Sequence, residues 1–522
     1  MRILVSDPLS QAGIDLLKRD HQVDVLTDLM PEQLAHIIGD YDALIVRSGT
    51  KVDRALIEAS QLKVIGRAGV GVDNIDVDAA TAKGIIVINA PEGNMISAAE
   101  HTISMMMALS RNIPQANLSI KQGKWQRSNF LGVEVFGKTL GVLGLGRIGA
   151  EVAKRMRALG MTVLAYDPFI TVERAKELRV ELASLADVLK NADFITVHTP
   201  LTKDTHHLIG VAEIAMMRNG VRIINVARGG IIDENALYDG LKSGKVAGAA
   251  LDVFEHEPPQ DSKLLALENC IATPHLGAST VEAQINVAVS IAEQTLLALK
   301  DEPARNAVNV PIRAETFGAV KGYMPLCEQL GKFCIQLVEG QIQGIELSYM
   351  GEVGQCDVHP LTVATLKGVL DHVLESPVNF VNAEIHAKKR GIRIAETKTE
   401  SLDDYQSLIN VRIKSDKGEW SVSGTLFLGD QPRIVKIGNY YVDAETEGCM
   451  LITSHIDKPG VIGEVGTLLG NNNINIAGMN VGRDKVRGGA VMVLALDDPI
   501  SDDVLARIRK VDGISTAKAV VL

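Results

Sequence analysis

The chain has 522 residues, 46% of them hydrophobic and 22% charged, so it is too long for one hydrophobic core and too apolar for a disordered polymer; about three to four domains follow. Its formal net charge of −11 excludes a nucleic-acid or anionic-membrane surface as the main partner, because both need a clustered positive field. Five cysteines (Cys270, Cys327, Cys334, Cys356, Cys449) without CxxC or paired spacing signal neither a disulfide framework nor a metal site, and fit a reducing cytoplasm. The opening "MRILVSDPLS" reads as a strand rather than a leader, and the longest apolar runs, such as "ISMMMAL", are too short to span a bilayer.

Residues 1–97 alternate short apolar runs with amphipathic stretches: "RILVSD", "QAGIDLLKRD", "VDVLTD", "PEQLAHIIGD", "DALIVRS", "LKVIGRAG", "IIVINAP". That alternation predicts βα units on a mostly parallel sheet. A helical segment, "SAAEHTISMMMALSRN", comes next. Stronger strands then repeat the pattern through "TLGVLGLG", "TVLAYDP", "DFITVHTP", "VRIINVAR", "VAGAALDVF" and "CIATPHLG", so 98–280 is expected to be a second doubly wound domain. "VEAQINVAVSIAEQTLLALK" reads as one long helix, which would return 281–308 to the first domain and leave a cleft between two lobes. "DEPARNAVNVP" has the Pro and Asn density of a linker. Residues 312–445 read as α/β without a catalytic motif, and 449–522 as strand-helix-strand-strand-helix-strand.

"GVLGLGRIGAEVAKRM" spaces Gly144, Gly146 and Gly149 as G-x-G-x-x-G between an apolar strand and a helix. The first glycine permits the tight turn, the second the approach of a pyrophosphate, the third close packing of helix on strand. The next strand ends in Asp167, where a carboxylate accepts from ribose hydroxyls and repels a 2′-phosphate, favouring NAD over NADP.

Three further segments, "NVARGGIIDE", "DVFEHEPP" and "TPHLGAST", end strands of the same predicted sheet and supply Arg228, Glu257 and His275. Oxidising a secondary alcohol requires a base for the hydroxyl proton, and histidine serves in both directions. A carboxylate orients the imidazole, and a guanidinium holds a substrate carboxylate through its planar fork. Taken singly, each has a structural explanation: a strand-end histidine, a solvated loop acid, a loop cation. Their joint occurrence favours chemistry.

Together "LGLGRIG", "NVARGGIIDE", "ALDVFEHEP" and "PHLGAST" resemble the D-isomer-specific 2-hydroxyacid dehydrogenases, and over its whole length the chain resembles the long phosphoglycerate dehydrogenases among them. The resemblance implies an α/β chain: two doubly wound parallel-sheet domains, a discontinuous substrate-binding one (1–97 with 281–308) and an inserted Rossmann NAD domain (98–280). An α/β intervening domain (312–445) and a βαββαβ ACT regulatory domain (449–522) would follow. His275 becomes the acid/base, Glu257 its partner and Arg228 the anchor. The expected cofactor set is Gly144, Gly146, Arg147, Ile148, Gly149, Asp167, Thr199, Ala227 and Asp252, with no metal. Arg47, Arg67, Asn94 and the backbone of Gly69 and Val70, with Arg228 and His275, would hold the substrate. The implied reaction is oxidation of 3-phospho-D-glycerate to 3-phosphohydroxypyruvate, opening serine biosynthesis. A cytoplasmic homotetramer is implied, with serine as an effector bound through His455, Asp457 and Asn475. Another 2-hydroxyacid dehydrogenase, such as a glyoxylate or hydroxypyruvate reductase, would keep the triad but gain nothing from Arg47 or the tail. A non-catalytic NAD-sensing protein is the third alternative, against which the complete triad speaks.

Overall fold

The fold, taken from a computed structural model, is described for residues 1–300, 302, 304–310, 314–374, 377–400 and 405–522. The first sheet comprises β1 (Arg2–Val5), β2 (Gln22–Val25), β3 (Ala43–Val46), β4 (Val64–Arg67) and β5 (Ile86–Ile88). All neighbours are parallel, in the order β2-β1-β3-β4-β5, so the direction of winding reverses between β1 and β3. β3 is buried at every position, as a strand covered by helices on both faces must be. The helix Val281–Leu299 supplies part of that cover: Val287, Ile291 and Ala292 pack with Ile3, Val5, Ile45 and Val64.

The second sheet contains β6 (Thr139–Leu143), β7 (Thr162–Tyr166), β8 (Glu181–Leu182), β9 (Phe194–Val197), β10 (Val221–Asn225), β11 (Val246–Leu251) and β12 (Cys270–Ala272). Its order, β12-β11-β10-β9-β6-β7-β8, is again wholly parallel and reverses between β6 and β9. In open parallel sheets the crevice at such a reversal, beyond the carboxyl ends of the strands, is where ligands bind. The helix Met95–Ser110 leaves the first sheet and lays Met105, Met106 and Leu109 on the second.

The third sheet is mixed. It holds β13 (Ile342–Gly351), β14 (Arg393–Thr399), β15 (Ser407–Ser415), β16 (Gly418–Phe427), β17 (Gln431–Ile437) and β18 (Tyr440–Glu445), with β13 and β14 parallel and the other neighbours antiparallel. The last is a four-stranded antiparallel sheet of β19 (Cys449–Ile456), β20 (Ile476–Arg483), β21 (Gly489–Leu496) and β22 (Ile514–Val521) in the order β20-β21-β19-β22, with helices Val461–Gly470 and Asp502–Ile508 in its crossovers. This is the strand-helix-strand-strand-helix-strand order expected from the sequence.

Two features exceed that expectation. The expected linker 301–311 lies partly outside the described residues, as does position 312, but its described part is not free. Val308 N–H donates to Val87 O (2.7 Å), and Asn309 Oδ1 accepts from Val87 N–H (2.8 Å), so 308–309 is tied to β5. The last sheet also buries both faces. Met450, Ile452, Val491, Val493 and Val520 share one apolar core with Leu326, Leu330 and Phe333 of the helix Tyr323–Leu337, while Leu451, Met492 and Leu494 face its own helices. Among the described residues no helix is long and apolar enough to cross a membrane. Because Ile452 is 1% exposed inside the shared core, Ile452→Ala should cost about 2–5 kcal/mol and lower the calorimetric transition that carries the third and fourth sheets together. A drop confined to a separate transition of the last sheet would contradict the shared core.

Candidate active site

β10, β11 and β12 are neighbours in parallel register: Asn225 pairs with Leu251, and Leu251 with Ala272. Their carboxyl ends therefore stand side by side, and the segments beyond them carry Arg228, Glu257 and His275. His275 Nδ1 lies 2.8 Å from Glu257 Oε2, and Phe254 N–H donates to the other oxygen (3.1 Å). Partial burial alone would push the Glu257 carboxyl up, but the hydrogen bond and charge of His275 and the Phe254 N–H outweigh it and hold the group below its ordinary value. An ionised carboxylate only accepts, so the proton sits on Nδ1 and leaves Nε2 as the basic nitrogen.

His275 adopts φ +56°, a left-handed conformation uncommon for a residue with a side chain. Asp252, fully buried at the end of β11, enforces it. Its carboxylate accepts from Thr273 Oγ1 (2.6 Å), Leu276 N–H (2.7 Å) and Gly277 N–H (2.8 Å), with His101 Nε2 at 3.2 Å, while Asp252 O accepts from His275 N–H (2.9 Å). Burial raises the Asp252 carboxyl, yet these partners together bring it below its usual range. Asp252, expected at the cofactor, is thus the strut of the His275 segment.

Arg228 is fixed by the turn after β10: Asn225 Nδ2 donates to Arg228 O (2.8 Å), and Asn225 Oδ1 accepts from Ala227 N–H (3.0 Å). The guanidinium donates to Ala227 O (2.7 Å) and, across the cleft, through Nε to Asp73 Oδ2 of the first lobe (3.3 Å). Arg47 and Arg67 follow β3 and β4 on that lobe. Burial, with repulsion from Arg228 and Arg47 that outweighs the pull of Asp73 and Asp7, lowers Arg67 to about 10, still protonated at neutral pH. A crevice is lined by Pro8, Ser10, Arg47, Gly69, Asn94 and Gln284, with Ala278, three residues beyond His275, on its other side. Asn94 Oδ1 is buried there without a hydrogen-bond partner among the described residues, a costly state that a ligand donor relieves. At the two expected backbone positions, Gly69 N–H donates to Arg67 O (2.8 Å) and Val70 O accepts from Asn89 Nδ2 (2.6 Å). Sequence reasoning missed Ser10, Asp73 and Gln284. Gln284 was discoverable, because it lies in the first turn of the long helix already expected to return to the first lobe.

The dinucleotide loop fits its cofactor. Gly144 takes φ +94°, and a Cβ there would meet His198 O at 2.7 Å. At Gly146, the N-cap of the helix Arg147–Ala158, a Cβ would meet nothing within 4 Å, which leaves that helix terminus open to a pyrophosphate. Gly149 approaches the Gly144 carbonyl too closely for any side chain. Asp167 accepts from Leu145 N–H (2.8 Å) and Phe169 N–H (2.9 Å), pinning its carboxylate beside the loop, and Thr199 Oγ1 is buried without a partner among the described residues. Arg147 reaches Glu92 of the other lobe (3.7 Å); Ile148 and Ala227 are half-buried at core edges.

In the last sheet the three expected effector residues do not meet. The register pairs His455 with Ala490 and Ala490 with Arg483, whereas Asn475 precedes Ile476, which pairs with Leu496 at the far end. At about 3.3 Å per residue the two ends stand roughly 20 Å apart. Asn475 Nδ2 donates to Asp497 (2.7 Å), and Asp457 accepts from Arg483 Nη1 and Arg487 N–H (3.2 Å each). His455 is buried beside Thr453, and burial lowers its pKa against the pull of Thr453 and Asp457. His455 and Asp457 therefore stand at one end of the sheet and Asn475 at the other, so one copy of the chain does not bring the three together.

A parallel sheet with a glycine-rich reversal and an imidazole–carboxylate pair beside an arginine make the chain an NAD-dependent dehydrogenase. Residues 103–277 match the model of the D-isomer specific 2-hydroxyacid dehydrogenase NAD binding domain, 319–438 the D-3-phosphoglycerate dehydrogenase intervening domain and 450–513 the ACT domain. The chain is 49% identical to a D-3-phosphoglycerate dehydrogenase of Synechocystis sp., covering 100% of itself and 95% of that protein, and 48% identical to one of Archaeoglobus fulgidus over 100% of both. A solved D-lactate dehydrogenase from Aquifex aeolicus, complexed with NAD and lactic acid, is 31% identical, with a TM-score of 0.54, covering 60% of this chain and 100% of that one. The chain belongs to the D-3-phosphoglycerate dehydrogenase family.

The depressed Asp252 carboxyl has a pH consequence. A group whose folded pKa lies below its unfolded one stabilises the fold fully above the unfolded value, near 4, and loses that contribution as pH falls through the folded value. Asp252→Asn should therefore reduce stability at pH 7 and flatten its decline below about pH 4 in urea titrations. An unchanged acid limb would refute this account of Asp252.

Proposed function

We propose that the enzyme oxidises 3-phospho-D-glycerate to 3-phosphohydroxypyruvate with NAD; the observation that supports this is the His275–Glu257 dyad together with a cluster of arginines in which Arg67 feels the charges of both Arg47 and Arg228, with Arg47 lining the crevice. In this reading Arg228 exchanges Asp73 for the substrate carboxylate, a planar match that fixes C2 beside the imidazole. His275 Nε2 takes the C2 hydroxyl proton, and Glu257 offsets the charge of the imidazolium that forms. NAD, when bound, accepts the hydride from C2. Gly144, Gly146, Gly149 and Asp167 hold it, with Arg147, Ile148, Thr199 and Ala227 around them. Arg47 and Arg67 take the phosphate, with Asn94 donating to it through its amide nitrogen. The boundaries 1–97 with 281–308, 98–280, 312–445 and 449–522 follow as the domain division.

The finer expectations are proposals of the same kind. A homo-oligomer is supported by a run of exposed apolar side chains, among them Leu118, Ile120, Trp125 (84% exposed), Leu131 and Phe136; its being a homotetramer in the cytoplasm follows from the family resemblance. Serine is the expected effector at the ACT domain. The separation of Asn475 from His455 and Asp457 supports a pocket completed by a second copy, with Asp457 exchanging Arg483 for the ammonium group.

NADH formation followed by absorbance should be far faster with 3-phosphoglycerate than with D-glycerate or lactate; equal rates would remove the phosphate from the reading. His275→Ala should cut kcat by about 10²–10⁴-fold, the usual worth of a general base, with NAD binding nearly intact by fluorescence titration. Full retained activity would exclude His275 as the base.

A further inference from the structure

The crevice of the first lobe lies where its winding reverses, beyond the carboxyl ends of β1 and β3. Arg47 stands on a short loop after β3 whose Ser48 and Gly49 are exposed, so little packing holds it. Two polar side chains bond this loop, one through its N–H groups and one through its carbonyls. Asp7, 6% exposed after β1, accepts from Arg47 N–H (2.5 Å), Thr50 N–H (3.1 Å) and Thr50 Oγ1 (2.9 Å). Asn74 donates its amide to Arg47 O and Thr50 O (2.7 Å each). The same Asn74 accepts through Oδ1 from Arg67 Nε (3.2 Å), and its own carbonyl accepts from Val52 N–H (2.8 Å). Pro8, beside Asp7, offers its carbonyl to Arg47 Nη1 (3.3 Å).

We propose that Asp7 and Asn74 are positioning residues for the phosphate end of the substrate: they clamp the 47–50 loop and set the spacing of Arg47 and Arg67, without touching substrate themselves. The polar atoms of the clamp are all partnered, by the loop backbone, the Thr50 hydroxyl or the Arg67 guanidinium, so the loop is held in this arrangement. Asn74 links the arginines directly, since one amide fixes the backbone of the first and the guanidinium orientation of the second. A loop held this way meets an anion without first losing conformational entropy, the cost that otherwise weakens binding. The clamp lies on the first lobe, whereas Arg228, Glu257 and His275 follow strands of the second. Its loss therefore acts on recognition of the phosphate and spares proton transfer.

The inference rests on the proposed function, and the test separates the two. Full-length wild type, Asn74→Ala, Asp7→Ala and Asp7→Asn are compared for kcat and KM with 3-phosphoglycerate and for kcat/KM with D-glycerate, which lacks the phosphate. Asn74→Ala and Asp7→Ala should raise KM for 3-phosphoglycerate by roughly ten- to hundredfold, the scale of a loosened charge-assisted contact, with kcat changed far less. Their kcat/KM with D-glycerate should stay within about threefold of wild type, a change worth less than one ordinary hydrogen bond. Asp7→Asn, which can still accept from the loop N–H groups and bond the Thr50 hydroxyl, should recover most of the lost affinity. Equal losses on both substrates, or Asp7→Asn no better than Asp7→Ala, would overturn the clamp. A wild type that shows no preference for 3-phosphoglycerate would instead overturn the functional reading. If one alanine variant does not fold, the other and Asp7→Asn carry the same comparison.

Discussion

Leu251 of β11 stands opposite Asn225 of β10 on one side and Ala272 of β12 on the other, and this parallel register is the constraint on which the site depends. Three strands that end at one level deliver three loops to one crevice, and hydrogen bonds then aim each side chain. Asp252 is central because it follows Leu251 directly: buried and ionised, it must collect donors, and the donors it collects belong to the segment that carries His275. The uncommon backbone of His275 is the local cost of turning its imidazole toward Glu257.

Electrostatics divides the work between the lobes. The first contributes Arg47 and Arg67, the second Arg228, and the acids Asp7 and Asp73 keep this cationic cluster from repelling itself apart in a chain of net charge −11. Among the described residues Arg228 with Asp73 and Arg147 with Glu92 pair across the cleft; both pairs are partly exposed, so they add little stability and can give way to a ligand. In the proposed reading an anionic substrate replaces carboxylates already in place.

Much of this was legible because the signals were local. The glycine loop, Asp167 and the three strand-end segments are short motifs whose strand, turn and helix follow from adjacent residues, and the alternation of apolar runs matches both parallel sheets. What escaped was set by distant pairs. Asp7 meets Arg47 forty residues away, Asn74 meets the same loop through its carbonyls, and Asp73 finds Arg228 across 155 positions. Nothing in those neighbourhoods distinguishes them from surface acids and amides. The separation of Asn475 from His455 was not legible for a related reason: strand polarity and register, which put the two at opposite ends of the sheet, are tertiary facts. Asp252, expected among the cofactor residues, is buried, which the sequence does not show, and its carboxylate is taken up by the His275 segment.

In the proposed reading the substrate is held at both ends, between arginines of the first lobe and the dyad of the second. A crystal structure of the full-length enzyme with NAD and 3-phosphoglycerate tests it directly. The account predicts the C2 oxygen within hydrogen-bond reach of His275 Nε2, the carboxylate on Arg228 and the phosphate between Arg47 and Arg67. A phosphate bound away from both of those arginines, or a C2 oxygen remote from His275, would contradict it.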